Sequence, residues 1–392
     1  MNGQEELVAL VESHLEKLSL EIGPRPVGSA NNKKAQAYIA SIFAACGLNV
    51  STQSYPCLDW QYISCGLWCA GSTLPVRPNP FSPACDLTAP FVPLDTIGKL
   101  EQSSLCDKIA LVCGELSGQL KNDNTQARRL LDLLVEKEPL AVIAVAENSA
   151  NHKLIIGDGS FPLPSASIPQ ASCNVLLAYK DHMVNLRIES DLTESEAANI
   201  IGERQSAAPK IVVCAHLDTK YASPGAIDNA SGVAALLALA QEPGFQLVAL
   251  NGEEYSHFHG LGAYSDADPE WENIVCAVNL DGIGVRGEKT RLAAYGCHQE
   301  VLGRLGAVLE RHPEIVHSEA WVQNNCKFFA KRGVPSFALR SCETGELVNS
   351  LIHTKGDEPY LLSPGSIAAT VRFLLDLRQA FCQTVGSGEL GC

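Results

Sequence analysis

The sequence predicts an α/β fold: a mixed, mostly parallel central sheet with helices on both faces, plus an inserted β-rich domain. Three observations carry this. The runs Lys210–Ala215, Phe245–Leu250 and Ile274–Leu280 are near-continuously apolar, as expected of strands buried on both faces. Helical periodicity alternates with them from Ala198 onward, over Ser231–Gln241, Gln299–Arg311 and Ser366–Phe381. At about Cys57 the texture changes: Pro and Gly cluster through Gly71–Pro93, and short strand candidates replace helical spacing. With 392 residues the chain also exceeds one ordinary core. The expected domains are residues 1–57 with 196–392, discontinuous, and the insert 58–195.

Taken in order, residues 4–22 and 31–46 carry helical apolar spacing. A breaker-rich loop joins them, Ile22-Gly-Pro-Arg-Pro-Val-Gly-Ser29. Leu48–Tyr55 alternates like a strand. Within the insert, Lys108–Cys113, Ala141–Ala146, Ala166–Pro169 and Met183–Glu189 read as β-segments, with a helix over Asn124–Glu136. Pro335–Leu339 is a short strand before the last helix.

Composition narrows the function classes. Forty-four Asp and Glu against 29 Lys and Arg give a formal charge of −15. Such a surface repels phosphate backbones and anionic lipid, so neither nucleic acid nor a membrane is expected as partner. No apolar stretch reaches the length of a membrane span. The first residues carry Glu5, Glu6, Glu12 and Glu16 among Leu and Val, which reads as an amphipathic helix and not as a signal peptide. The 15 cysteines form no CxxC pair, and several lie inside apolar runs. This favours free thiols and a cytoplasmic chain, or a secreted one if a leader has been removed.

Four segments place acids or histidines directly after buried strands: His216-Leu-Asp218, Gly225-Ala-Ile-Asp-Asn-Ala-Ser-Gly232, Asn251-Gly-Glu-Glu254 and Asn279-Leu-Asp-Gly282. A fifth, Ile352-His-Thr-Lys-Gly-Asp357, precedes the last helix. Ligands bind at such strand ends in open α/β sheets. Singly, each has a bland explanation. Asp228 could be a helix cap, the Glu pair a solvated edge, and His353 a surface residue. Together they differ, because four carboxylates at adjacent strand ends repel unless something positive lies between them. Two histidines with several carboxylates suit zinc or a similar divalent ion, and a bridging carboxylate suits a paired site.

This five-part order resembles the co-catalytic di-zinc aminopeptidases, metallopeptidase family twenty-eight, which includes leucyl aminopeptidases. The early IGPRPVGS resembles their N-terminal region. DKIALVCG, AVIAVAEN and SASIPQASC fall in the order of a protease-associated domain. The resemblance implies a zinc-exopeptidase-like fold and a metal-dependent aminopeptidase with two zinc ions per chain. It implies His216 and Asp281 on one ion, Glu254 and His353 on the other, and Asp228 between them. Glu253 would be the general base, and Asp218 would orient His216 through its second ring nitrogen. The implied partner is a peptide with a free N-terminus; a homo-oligomer is compatible with the sequence.

One segment departs from the family: Asn324-Asn-Cys-Lys-Phe-Phe329 stands where relatives often carry an acid at the position of Asn325. His257 and His259, beyond the Glu pair, are not family ligands and read as solvent-facing. Alternatives on the same fold are a glutaminyl-cyclase-like acyltransferase with one zinc, or a carboxypeptidase or dipeptidase. A non-enzymatic binding module would have lost ligands that are all present here.

Overall fold

The computed structural model describes residues 3–120, 125–146, 156, 159–204, 209–255, 260–267, 270–321, 325–341 and 350–382. They fall into two compact units. The described residues of Met1–Pro56, Glu196–Glu254 and His259–Cys392 form one unit, and those of Cys57–Ser195 with Tyr255–Phe258 form the other.

In the first unit, strands Lys210–His216, Phe245–Leu250, Ile274–Leu280 and Ser336–Ser341 run parallel to one another. Thr290–Tyr295 joins them antiparallel on one side and pairs in parallel with Ile315–Ser318, while Val184–Glu203 lies antiparallel beside Phe245–Leu250. The alternation along each central strand serves two cores. Ile211, Val213 and Ala215 face the larger core, with Leu247, Ala249, Val278 and Leu280. Val212, Cys214, Val248, Leu250 and Ala277 face the other. Helices Gly3–Glu16, Ala30–Ala45, Ser231–Ala238, Gln299–Leu309 and Pro364–Cys382 supply the first cover, and Gly260–Asp266 and Cys326–Ala330 the second. The expected fold class is what is observed: a mixed, mostly parallel sheet with helices on both faces.

The second unit holds a five-stranded sheet ordered Arg77–Pro78, Ser165–Pro169, Ala141–Ala146, Ile109–Val112, Phe91–Leu94. All but the first pairing are parallel. Helix Thr125–Glu136 covers it, as the sequence suggested. Helices Ile97–Gln102, Gly114–Leu120 and Gln170–Ala178 had no clear periodic signal, because one to three turns are too short to show one.

Two strands are much longer than the sequence suggests. Leu48–Tyr55 is the start of Asn49–Cys69, 21 residues. Met183–Glu189 is the start of Val184–Glu203, 20 residues, which pairs first with Cys85–Ala89 and then with Phe245–Leu250. Exposed Asp191–Glu194 in the middle erases the apolar alternation on which a strand reading depends. Among the described residues no helix is long and apolar enough to cross a membrane.

Candidate metal centre

The three central parallel strands end together. His216 is the last residue of its strand and is level with Leu250; Cys214, two residues back, is level with Asn279. Asp281 and the loop Asn251-Gly252-Glu253-Glu254 therefore emerge beside His216. Asp228 arrives from the next loop, where its peptide bond to Asn229 is cis. His353 comes from the segment before the last helix, in the left-handed region at φ +67, a conformation its surroundings must hold.

Asp228 stands at the centre. Its Oδ1 is 2.9 Å from His216 Nε2, and its Oδ2 is 2.7 Å from His353 Nε2. On one side, His216 Nε2 is 3.6 Å from Asp281 Oδ1; on the other, His353 Nε2 is 3.4 Å from Glu254 Oε2. Ligand atoms of His216, Asp228 and Asp281 lie within 4.8 Å of one another, and so do those of Asp228, Glu254 and His353. The two triads share Asp228. Glu253 belongs to neither; its Oε2 is 3.7 Å from His216 Nε2.

Electrostatics follow from this crowding. Burial disfavours a charged imidazole, yet the surrounding carboxylates raise His216 well above its ordinary value and His353 to about 9. Burial also opposes ionisation of Asp228, but hydrogen bonds to the two histidines hold its carboxyl far below the carboxylate range. Glu253 goes the other way. Desolvation, with the charges of Asp281, Glu254 and Asp228, pushes it up to about 8 against the pull of His216.

The donor set fits a pair of divalent ions. Each triad offers imidazole nitrogen and carboxylate oxygen, which suit zinc. Glu254 supplies a sharper test: its Oε1 is buried and, among the described residues, has no hydrogen-bond partner. A buried carboxylate oxygen without a donor is costly, and a cation removes the cost.

The support is built from residues the sequence gave less reason to notice. Arg25 is fully buried. It donates from Nε to Leu217 O (2.7 Å), from one terminal nitrogen to Pro224 O (2.7 Å) and from the other to Gly225 O (3.0 Å). Its own N–H donates to Thr219 Oγ1 at 3.0 Å. One guanidinium thus clamps both ends of the loop between His216 and Asp228. Gly225 is required there: its φ is +59, and a Cβ would lie 2.3 Å from Thr219 Cγ2. Asp357 accepts from Ile227 N (2.7 Å) and Asp228 N (3.2 Å). Asn229 donates to Leu280 O (2.8 Å) and accepts from Gly282 N (3.2 Å), tying the Asp228 loop to the Asp281 loop. The only signal for these roles was their place inside or beside the five motifs and the early Pro-Arg-Pro loop.

Asp218 also does something the sequence does not reveal. The Nδ1 of His216 lies 3.1 Å from the backbone carbonyl of Asp218 and 3.7 Å from its carboxylate. That carboxylate also accepts from Glu253 N (3.2 Å) and Glu254 N (3.1 Å), and so fixes the Glu pair. Asn325 stands at the start of helix Cys326–Ala330 without a side-chain capping bond. His257, His259 and Asn324 lie outside the described residues.

The sequence profile of peptidase family M28 matches residues 199–377. That span holds all five candidate ligands together with Asp218 and Glu253. Over that segment, a little under half of its length, the chain is similar to peptidase family M28. The aminopeptidase YwaD of Bacillus subtilis (strain 168) is 26% identical over 292 residues, 71% of this chain. The chain spans 62% of the length of that relative. An aminopeptidase from Aneurinibacillus sp. strain AM-1 superposes with TM-score 0.74 at 19% identity, over 98% of this chain and 95% of its own. BSAP, a zinc aminopeptidase from Bacillus subtilis, gives 0.74 at 20% identity, over 97% and 96%. At such identities these structures establish the fold of the chain alone.

Proposed function

We propose that this chain is a zinc-dependent aminopeptidase that removes N-terminal residues from peptides. The observation that carries the reading is Asp228, one carboxylate oxygen against each histidine at 2.9 and 2.7 Å and shared by both triads. The similar proteins, named aminopeptidase and zinc aminopeptidase, support it.

His216, Asp228 and Asp281 would hold one ion and Asp228, Glu254 and His353 the other. When bound, the ions supply Lewis-acid activation of water and of the scissile carbonyl. The chain's own groups do the rest. Glu253, outside both triads and partly exposed, takes the proton from the attacking water at its carboxylate and delivers it to the leaving amine. Asp218 keeps Glu253 in place through the backbone bonds described above. The carboxylates around Asp228 favour a substrate carrying a free α-ammonium, which accounts for exopeptidase action.

The insert 58–195 is read as a protease-associated-type domain acting in peptide affinity, and the chain as cytoplasmic. In support of the latter, the described cysteines form no disulfide. The test is release of product from a panel of aminoacyl p-nitroanilides by zinc-loaded protein, with N-acetylated counterparts as controls. Cleavage of the free-amine set alone is expected. Equal cleavage of the acetylated set, or none of either, would refute the aminopeptidase reading.

A further inference from the structure

The two triads are not electrostatically equal. Lys220 places its Nζ 3.4 Å from Glu254 Oε2, the same oxygen that lies 3.4 Å from His353 Nε2. Among the described residues, no lysine or arginine nitrogen forms an ion pair with Asp228, Glu253 or Asp281. One triad therefore has an ammonium on its ligand oxygen and the other has none.

The position is built in. Lys220 follows Thr219, whose hydroxyl accepts from Arg25 N at 3.0 Å, and its own carbonyl accepts from Ser223 N at 3.1 Å. Its side chain is 23% exposed and that of Glu254 4%, so water screens the pair weakly. A divalent ion taken up by the Glu254 carboxylate, at Oε2 or at the unpartnered Oε1, meets an ammonium already on that carboxylate. Either the ammonium withdraws and gives up its pairing, or the ion binds against repulsion. Both routes lower affinity.

We propose that Lys220 is a built-in competitor for the ion held by Asp228, Glu254 and His353, making that site the weaker and later filled of the two. This rests on the two-metal reading above and adds to it an order of filling and the residue that sets it. Lys220 is a positioning and tuning residue; it performs no proton transfer.

The test is calorimetric titration of metal-free protein with zinc, without turnover as readout, on the full chain and its K220M, K220Q and K220R variants. Two dissociation constants at least about tenfold apart are expected for the wild type. K220M and K220Q should tighten the weaker by at least about tenfold and leave the tighter within about threefold; K220R should keep the gap. An unchanged gap in both neutral variants would overturn the proposal. So would a weaker second site, since that outcome makes Lys220 a prop for Glu254. Melting curves distinguish either result from misfolding, and two neutral variants guard against one that does not fold. If the wild type takes up no zinc at all, the two-metal reading itself fails and the proposal falls with it.

Discussion

Each unit of this chain contains a parallel sheet whose strands are buried on both faces, and the carboxyl ends of the two sheets differ completely. In the first unit, strands Lys210–His216, Phe245–Leu250 and Ile274–Leu280 run into His216, Glu253–Glu254 and Asp281. In the insert, Phe91–Leu94 runs into Asp95, Ile109–Val112 into Cys113 and Ser165–Pro169 into Gln170. Asp95 is spent on an ion pair with Lys99, four residues on. Cys113 packs in the apolar core with Cys173. The layers are alike, alternating Ile109 and Leu111 toward one core with Ala110 and Val112 toward the other. The candidate metal centre forms where several acids meet two histidines; among the described residues the insert's strand ends bring no such group together.

The contrast can be broken most severely at Asp228. Asp228→Ala should abolish uptake of both ions and reduce peptidase activity to background, because both triads lose their shared oxygen. Metal analysis after dialysis measures this, and retention of two ions would show that Asp228 is no bridge. Next come the two glutamates. Glu253→Gln should keep both ions but lower turnover by at least about 10²-fold, while Glu254→Gln should lose one ion. A reversed pattern would exchange their roles.

Arg25→Met should weaken both sites together and destabilise the protein by about 3 kcal/mol or more, since it strands several buried carbonyls. Thermal melts with and without zinc check it. A variant with normal stability and affinity would mean the loop holds itself. In the insert, Asp95→Asn and Cys113→Val should leave zinc stoichiometry at the wild-type value and turnover on a small aminoacyl amide within about twofold. A larger loss would put part of the chemistry in the insert.

Two buried histidines of the first unit, His216 and His14, sharpen the comparison further. His216 sits among carboxylates and its pKa is raised. His14 is equally buried, but its Nδ1 meets the Tyr38 hydroxyl at 2.7 Å, and burial lowers it to about 4. The folded state thus disfavours the protonated form of His14. Its contribution to stability is present above the unfolded value of about 6.5 and is lost as pH falls toward 4. Between pH 7 and pH 5 the wild type should lose about 1–2 kcal/mol relative to His14→Leu, read from denaturant midpoints. No pH-dependent difference would mean His14 is not held neutral.

Much of this was legible in the sequence for a physical reason. Strands buried on both faces must be apolar throughout, so Lys210–His216 and Ile274–Leu280 declare themselves, and charged residues at their ends stand out. The candidate ligands were legible because each follows such a strand or sits in a short polar motif. Arg25 was not, since nothing in a Pro-Arg-Pro loop says that its guanidinium will fold back on a loop near residue 220. The 20-residue strand Val184–Glu203 was not, because its exposed middle carries Asp191 and Glu194. Two further partners of Asp218, backbone N–H groups 35 and 36 residues away, depend on strand register, which no local pattern encodes.

The central claim is that one carboxylate, Asp228, sits between two metal ions. Anomalous diffraction from zinc-loaded crystals, collected above and below the zinc edge, tests it most directly. The account predicts two peaks about 3.5–4 Å apart, flanking Asp228, one beside His216 and Asp281 and the other beside Glu254 and His353. A single fully occupied peak in saturating zinc, or peaks away from Asp228, would contradict it.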